Sequence, residues 1–211
     1  MGGLIVCYMI IDDDKKAEKY FSKAEDINTQ IVTDFYRNVG YGLFRSDHFN
    51  LSRDAFFKQL DIEKENENNR AIINTLTNIG LSYFYEGAYA EALTYFDQAI
   101  DHNGVDNLFD PVETLSFRHL SSKFLKNSND KKDLQLVIEE FEDKNVQWNK
   151  NKPWYINWAL YECFGDKKYI SMAYEKLMKE VEKIDPKHSE LFLSYSMQRK
   201  ILESFKKLKN T

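Results

Sequence analysis

Cysteine, proline and glycine are all scarce in this chain: two, three and eight residues respectively among 211. Cys7 and Cys163 lie far apart in sequence and build neither a disulfide framework nor a zinc-binding spacing. That usage fits a reducing, cytoplasmic setting. So little turn punctuation argues against an all-β sandwich and favours long helices joined by few loops. A basic excess is missing too. With 29 Lys and Arg against 34 Asp and Glu the formal net charge is −5. Phosphate neutralisation needs the opposite balance, so no nucleic-acid partner is expected. The apolar run Leu4 to Ile11 is about half the length of a membrane span. No Lys or Arg precedes it and no small-residue cleavage site follows, so it makes a poor signal peptide. Val6 stands where myristoylation of Gly2 would want Ser or Thr. The run reads as a core helix, and no membrane partner is expected.

What the chain does have is apolar and aromatic residues, 43% and 15% of the total, which mark a folded chain with a sizeable core. It also repeats itself. Between Ile73 and Gly104, Ile79 and Tyr83 share one face of a first helix, and Gly80 lets a neighbouring helix come close. Glu86-Gly87 ends that helix, because glycine reaches the left-handed conformation at little cost. Ala92, Phe96 and Ala99 then share a face of a second helix, with Phe96 plugging the gap between two small residues. Steps of nine, four and three residues run from Tyr83 through Ala92 and Phe96 to Ala99. The same steps connect Tyr8, Ala17, Phe21 and Ala24, and connect Leu43, Ser52, Phe56 and Gln59, with Gly40 upstream as Gly80 is upstream of Tyr83. Looser matches are Leu125, Leu134, Ile138, Phe141 and Phe164, Ala173, Leu177, Glu180. Residues 17, 52, 92, 134 and 173 are therefore 35, 40, 42 and 39 apart.

The segment carrying Gly80, Tyr83, Gly87, Tyr89, Ala92, Phe96 and Ala99 resembles the tetratricopeptide repeat, with Gly104 in place of that family's terminal proline. The repeats are longer than the family's usual length and are similar to those of bacterial signalling proteins and peptide-pheromone sensors. The resemblance implies an all-α, right-handed solenoid of about five antiparallel helical hairpins. One domain is expected over 1–211. Its best repeat is 73–104, with weaker repeats at about 1–26, 33–62, 115–143 and 154–183 and a C-terminal cap at 187–208. Helices are expected at 3–11, 14–26, 29–45, 51–65, 69–86, 89–101, 111–126, 131–143, 153–164, 167–183 and 187–208. Asp110-Pro111 with Glu113 forms a capping box, Asp185-Pro186 a second acidic cap, and Pro153 opens an aromatic helix. Arg199, Lys200, Lys206, Lys207 and Lys209 suit a helix C-terminus, as a solvated cap of the repeat stack. The first helix is about a turn short, which suggests a natural chain that is longer at its N-terminus.

Catalytic chemistry does not emerge. The four His (48, 102, 119 and 188) show no pairing at ligand spacing, and Cys163 has no His beside it in sequence. Gly40-Tyr41-Gly42 lacks the third glycine of a dinucleotide fingerprint. Asp12-Asp13-Asp14 reads as a helix cap, and Asp101, Asn103 and Asp106 fail as a calcium loop because Val105 takes a ligand position and no Glu closes it. No catalytic residue, metal or cofactor is nominated.

A surface remains. In a repeat solenoid the first helix of each pair lines the concave groove where peptides bind. The register projects Arg37, Tyr41, Phe44 and Arg45 into it from the second repeat, Asn74, Thr77, Asn78, Leu81, Phe84 and Tyr85 from the third, and His119, Lys123 and Lys126 from the fourth. Asn pairs with a peptide backbone through donor and acceptor, cations suit carboxylates, and aromatics supply stacking area. Some of these aromatics would otherwise pack against neighbouring helices. Asn78 and Arg37 only partly match the Lys/Asn/Arg clamp with which the tetratricopeptide family holds C-terminal carboxylates, so that specificity is not assigned. The expected function is a non-catalytic protein- or peptide-binding scaffold. A peptide-sensing segment of a bacterial signalling protein is the alternative, and an enzyme or enzyme subunit with an unrecognised site is a third reading.

Overall fold

The computed structural model describes residues 29–103, 112–125 and 153–209. All regular structure among them is helical, with no strand. The chain divides into two compact units, one up to Phe109 and one from Asp110 onward.

The first unit holds α1 (Thr29–Arg45), α2 (Phe49–Glu65), α3 (Asn69–Glu86) and α4 (Tyr89–Asn103). α1 packs on α2, α2 on α3 and α3 on α4, so the unit is two hairpins in succession. One steric lock closes both. A Cβ built on Gly80 would lie 2.5 Å from Phe96 Cε1, and one built on Gly40 would lie 2.6 Å from Phe56 Cδ1. Each glycine therefore admits the ring of the partner helix where any other residue would collide with it. Phe56 and Phe96 have no exposed surface, and Ala92 and Ala99 are 0% and 1% exposed. Gly80, Ala92 and Ala99 thus sit at a close crossing, as the spacing predicts. Ser52 takes the place of Ala92 in the first hairpin, and its Oγ donates to Gly40 O at 2.9 Å, which satisfies a hydroxyl with no exposure.

The turns repeat as well. Behind α3, Gly87 N–H donates to Phe84 O and Ala88 N–H to Tyr83 O, with Gly87 at φ +94°. This is the Schellman arrangement. The same pair of bonds follows α1, with Asp47 in the left-handed position at φ 62°, and follows α2, with Glu67 there at φ 51°.

The second unit holds α5 (Val112–Phe124), α6 (Trp154–Phe164), α7 (Lys167–Val181), α8 (Pro186–Ser194) and α9 (Ser196–Lys209). α6 packs on α5 and α7, and α9 packs on α7, α6 and α8. Asp166 and Asp185 cap α7 and α8 by accepting from Lys168 N and Lys187 N, and Pro186 takes the first turn of α8. Ala173 and Leu177 are fully buried as the repeat spacing expects, but Glu180 at the last position is exposed.

One boundary needs correction. The cap expected as a continuous helix over 187–208 is two helices, broken at Tyr195, which is extended at φ −64°, ψ 149°. Ser194 Oγ bonds back to Leu191 O at 2.7 Å, competing with helix continuation, and Tyr195 O then accepts from Arg199 N in the first turn of α9. The helices expected at 3–11, 14–26 and 131–143 lie outside the described residues. So do the repeat positions Tyr8, Ala17, Phe21, Ala24, Leu134, Ile138 and Phe141, the capping box at Asp110, the aspartates at 12–14, and Lys126.

Candidate functional site

In the first unit the residues expected to line a groove divide by burial. On α1, Arg37 and Arg45 are exposed and Tyr41 is half-buried, its ring edge-on to Phe56 at 5.6 Å. Arg37 Nη2 bonds Asp34 Oδ1 at 2.8 Å one turn earlier, with both side chains almost half exposed. Such a pair contributes little to stability, so Arg37 can exchange it for a ligand carboxylate. On α3, Asn74 is exposed and Asn78 is 7% exposed.

Six expected groove residues are buried instead, among them Thr77, Asn78 and Phe84 at 2%, 7% and 1% exposure. Leu81 is 1% exposed, and Phe44 and Tyr85 pack ring to ring at 5.7 Å with exposures of 5% and 6%. For the residues on α3 the cause is its stacking between two second helices, α2 and α4, which covers more of its circumference than an amphipathic stripe would need, and Phe44 on α1 is buried against Tyr85 of that helix.

In the second unit His119 is half-buried on α5. Lys123 is exposed, and its Nζ donates to Glu162 O at 2.9 Å in the last turn of α6. A lysine there satisfies one of the carbonyls that a helix C-terminus leaves open.

Two buried polar clusters have little trace in the helical spacing. Arg53 on α2 has a side chain only 8% exposed and pairs with Glu86 Oε2 at 2.8 Å. It also donates to Ser82 Oγ at 3.3 Å and to Asn50 Oδ1. Its guanidinium carbon stands 4.1 Å from the centre of the Tyr83 ring, which stacks on Tyr95 of α4 at 5.4 Å. One cation thus ties α2, α3 and α4 together. Burial and the neighbouring Tyr83 push the Tyr95 phenol above its ordinary range.

Glu63, 3% exposed, forms the second cluster. Thr75 Oγ1 on α3 donates to its Oε2 at 2.7 Å, and Gln59 Nε2 donates to its Oε1 at 2.6 Å. Burial raises the Glu63 carboxyl above its ordinary value, while the bonds from Thr75 and Gln59 and the charge of Arg37 oppose the rise. The one sequence signal for this cluster is a polar residue at the repeat position of Ala99: Gln59 needs a buried partner, and Glu63 lies one turn on. Among the described residues no three His, Cys, Asp or Glu stand close enough to hold a metal ion. Both clusters spend their polar groups within α2 and on α3, apart from the unbonded Gln59 Oε1, and neither pairs a nucleophile with a base.

No family model matches the chain, and no curated protein matches it in sequence. Several solved structures are similar in fold. One is RapI, solved in its apo form, with a TM-score of 0.60 and 17% identity, covering 99% of this chain and 61% of RapI. The chain therefore spans about three-fifths of that neighbour's length. The likeness, with helices alone among the described residues, gives an all-α helical-repeat fold of the α-solenoid kind. No described helix is long and apolar enough to cross a membrane.

Proposed function

We propose that this chain is a non-catalytic, tetratricopeptide-like repeat module that binds a protein or peptide along the first helices of its hairpins. The observation that carries the reading is internal: the Gly40–Phe56 and Gly80–Phe96 locks are one contact repeated at an offset of 40 residues. Repeats of this kind present equivalent helix faces side by side, which is the architecture of an extended binding surface. Arg37, Tyr41 and Asn74 are the groups on α1 and α3 suited to it, offering one cation, one ring and one amide, whereas Asn78 is buried.

A second reading is favoured by the fold likeness to a protein solved in an apo form. In it the module is the peptide-sensing part of a bacterial signalling protein, and occupancy of the groove changes the curvature of the repeat stack.

The test is co-purification from lysate with mass spectrometry of what is retained, followed by titration of the recovered partner. Arg37→Glu with Asn74→Ala should weaken its binding roughly 10–150-fold, the value of a charge-assisted hydrogen bond. Asp54→Ala with Gln98→Ala, on exposed positions of α2 and α4, should leave it unchanged. Loss in the second pair and not in the first would place the site on the second helices.

A further inference from the structure

Helix α8 stands apart from the other described helices: it alone buries none of its residues. Yet its sequence is apolar where it matters. Leu191 is 56% exposed, and Phe192 and Leu193 beside it keep a smaller part of their surface open. A nine-residue helix does not hold itself together in water, and packing of an apolar face is what normally stabilises one. In the first unit the equivalent need is met by the next helix in line, since α2 is covered by α3. Among the described helices α8 packs chiefly on α9.

The edge that α8 forms with α9 is also strongly basic. Residues 186–209 carry six Lys and Arg against two Glu, while residues 29–103 carry six against eleven Asp and Glu. Lys187 and Arg199 have side chains 69% and 59% exposed, and Lys206 is exposed as well. The acidic neighbours of the first two, Asp185 at 3.2 Å and Glu203 at 3.9 Å, are themselves more than half exposed and hold them weakly. Two copies of this edge facing each other about a two-fold axis would set cation against cation.

We propose that the α8–α9 edge is a docking surface for an acidic amphipathic helix of a partner protein. Its apolar stripe covers Leu191 and Phe192, and its carboxylates meet Lys187, Arg199 and Lys206. The surface lies in the second unit and uses none of the residues assigned on α1 and α3, so it is independent of the groove reading.

The probe is a dye-labelled synthetic helix with Leu and Glu at helical spacing, beside a scrambled peptide of the same composition. Both are titrated against the full chain by fluorescence anisotropy. The patterned peptide should bind at least about tenfold more tightly than the scrambled one. Leu191→Ser and the pair Arg199→Glu with Lys206→Glu should each weaken it by about tenfold or more, with circular dichroism unchanged because all three positions are exposed. Equal binding of the two peptides would reduce the surface to bulk charge and overturn the proposal, as would binding indifferent to both variants. Sedimentation of the free chain supplies the remaining arm: self-association abolished by Leu191→Ser would assign the edge to a second copy instead.

Discussion

Hairpins α1–α2 and α3–α4 share a lock and differ in what surrounds it. Phe56 and Phe96 plug glycines 40 residues apart, and each ring is fully buried. Around Phe96 the flanking positions are Ala92 and Ala99. Around Phe56 they are Ser52 and Gln59, both buried and both requiring hydrogen bonds. Gly87 closes the second hairpin's turn, and Asp47 occupies the same position in the first. A repeat can therefore keep its geometry while its chemistry drifts, provided the steric lock survives and most introduced polar atoms are bonded: Ser52 Oγ and Gln59 Nε2 are, while the buried Gln59 Oε1 is not.

The largest expected effect probes what the hairpins share. Phe56→Ala and Phe96→Ala should each destabilise by about 3–5 kcal/mol, read from urea denaturation. Comparable losses would show that both locks carry the unit. A much smaller loss for Phe56→Ala would mean that the polar network of the first hairpin does the holding.

Next in size are the glycines. Gly40→Ala and Gly80→Ala gain helix propensity but force a methyl into a buried ring, and should cost about 1–3 kcal/mol net. Neutral or stabilising substitutions, as expected at an exposed helical glycine, would mean that the rings retreat at no cost.

Glu63 separates the hairpins by pH. Its carboxyl is raised by burial from an ordinary value near 4.5. The folded state therefore holds its proton more tightly than the unfolded state does. Stability from this group is fully present below the unfolded value and falls as pH rises toward the raised one. One proton limits the slope to about 1.4 kcal/mol per pH unit. Urea midpoints from pH 4 upward should show the fall in the natural protein and not in Glu63→Gln. Parallel profiles would place the titration elsewhere.

The lock is legible in the sequence because glycine, aromatic and small residues at fixed spacing have one economical meaning in paired helices. α1 and α3 are legible to their ends for a related reason: the turns behind them follow a helix C-cap pattern, and Gly87 announces it. The groove is less legible. Periodicity says which residues share a face but not how many faces neighbours cover, so it projects Asn78, Leu81, Phe44 and Tyr85 outward although they are buried. Arg53 and Glu63 are hidden for the converse reason. A charged residue on a helix reads as solvated, and only its partners on α3, Glu86 and Thr75, bring it inside. The break at Tyr195 follows a serine whose hydroxyl donates to Leu191 O three residues back, a bond that leaves no periodic trace.

The smallest effect sharpens the comparison at its turns. Asp47 adopts φ 62°, where an L side chain is strained, and its counterpart Gly87 adopts φ 94° without strain. A Cβ at Gly87 would meet nothing within 4 Å, so Gly87→Ala alters the backbone preference and little else. It should destabilise by about 1 kcal/mol, and Asp47→Gly should stabilise by about 0.5–1 kcal/mol. The two shifts have opposite signs because one introduces the strain that the other removes. Thermal midpoints of the two variants decide it. If Asp47→Gly also lowers the midpoint, the Asp47 side chain contributes more through its own contacts than its backbone conformation costs, and the first hairpin depends on polar bonds at its turn as well as at its core.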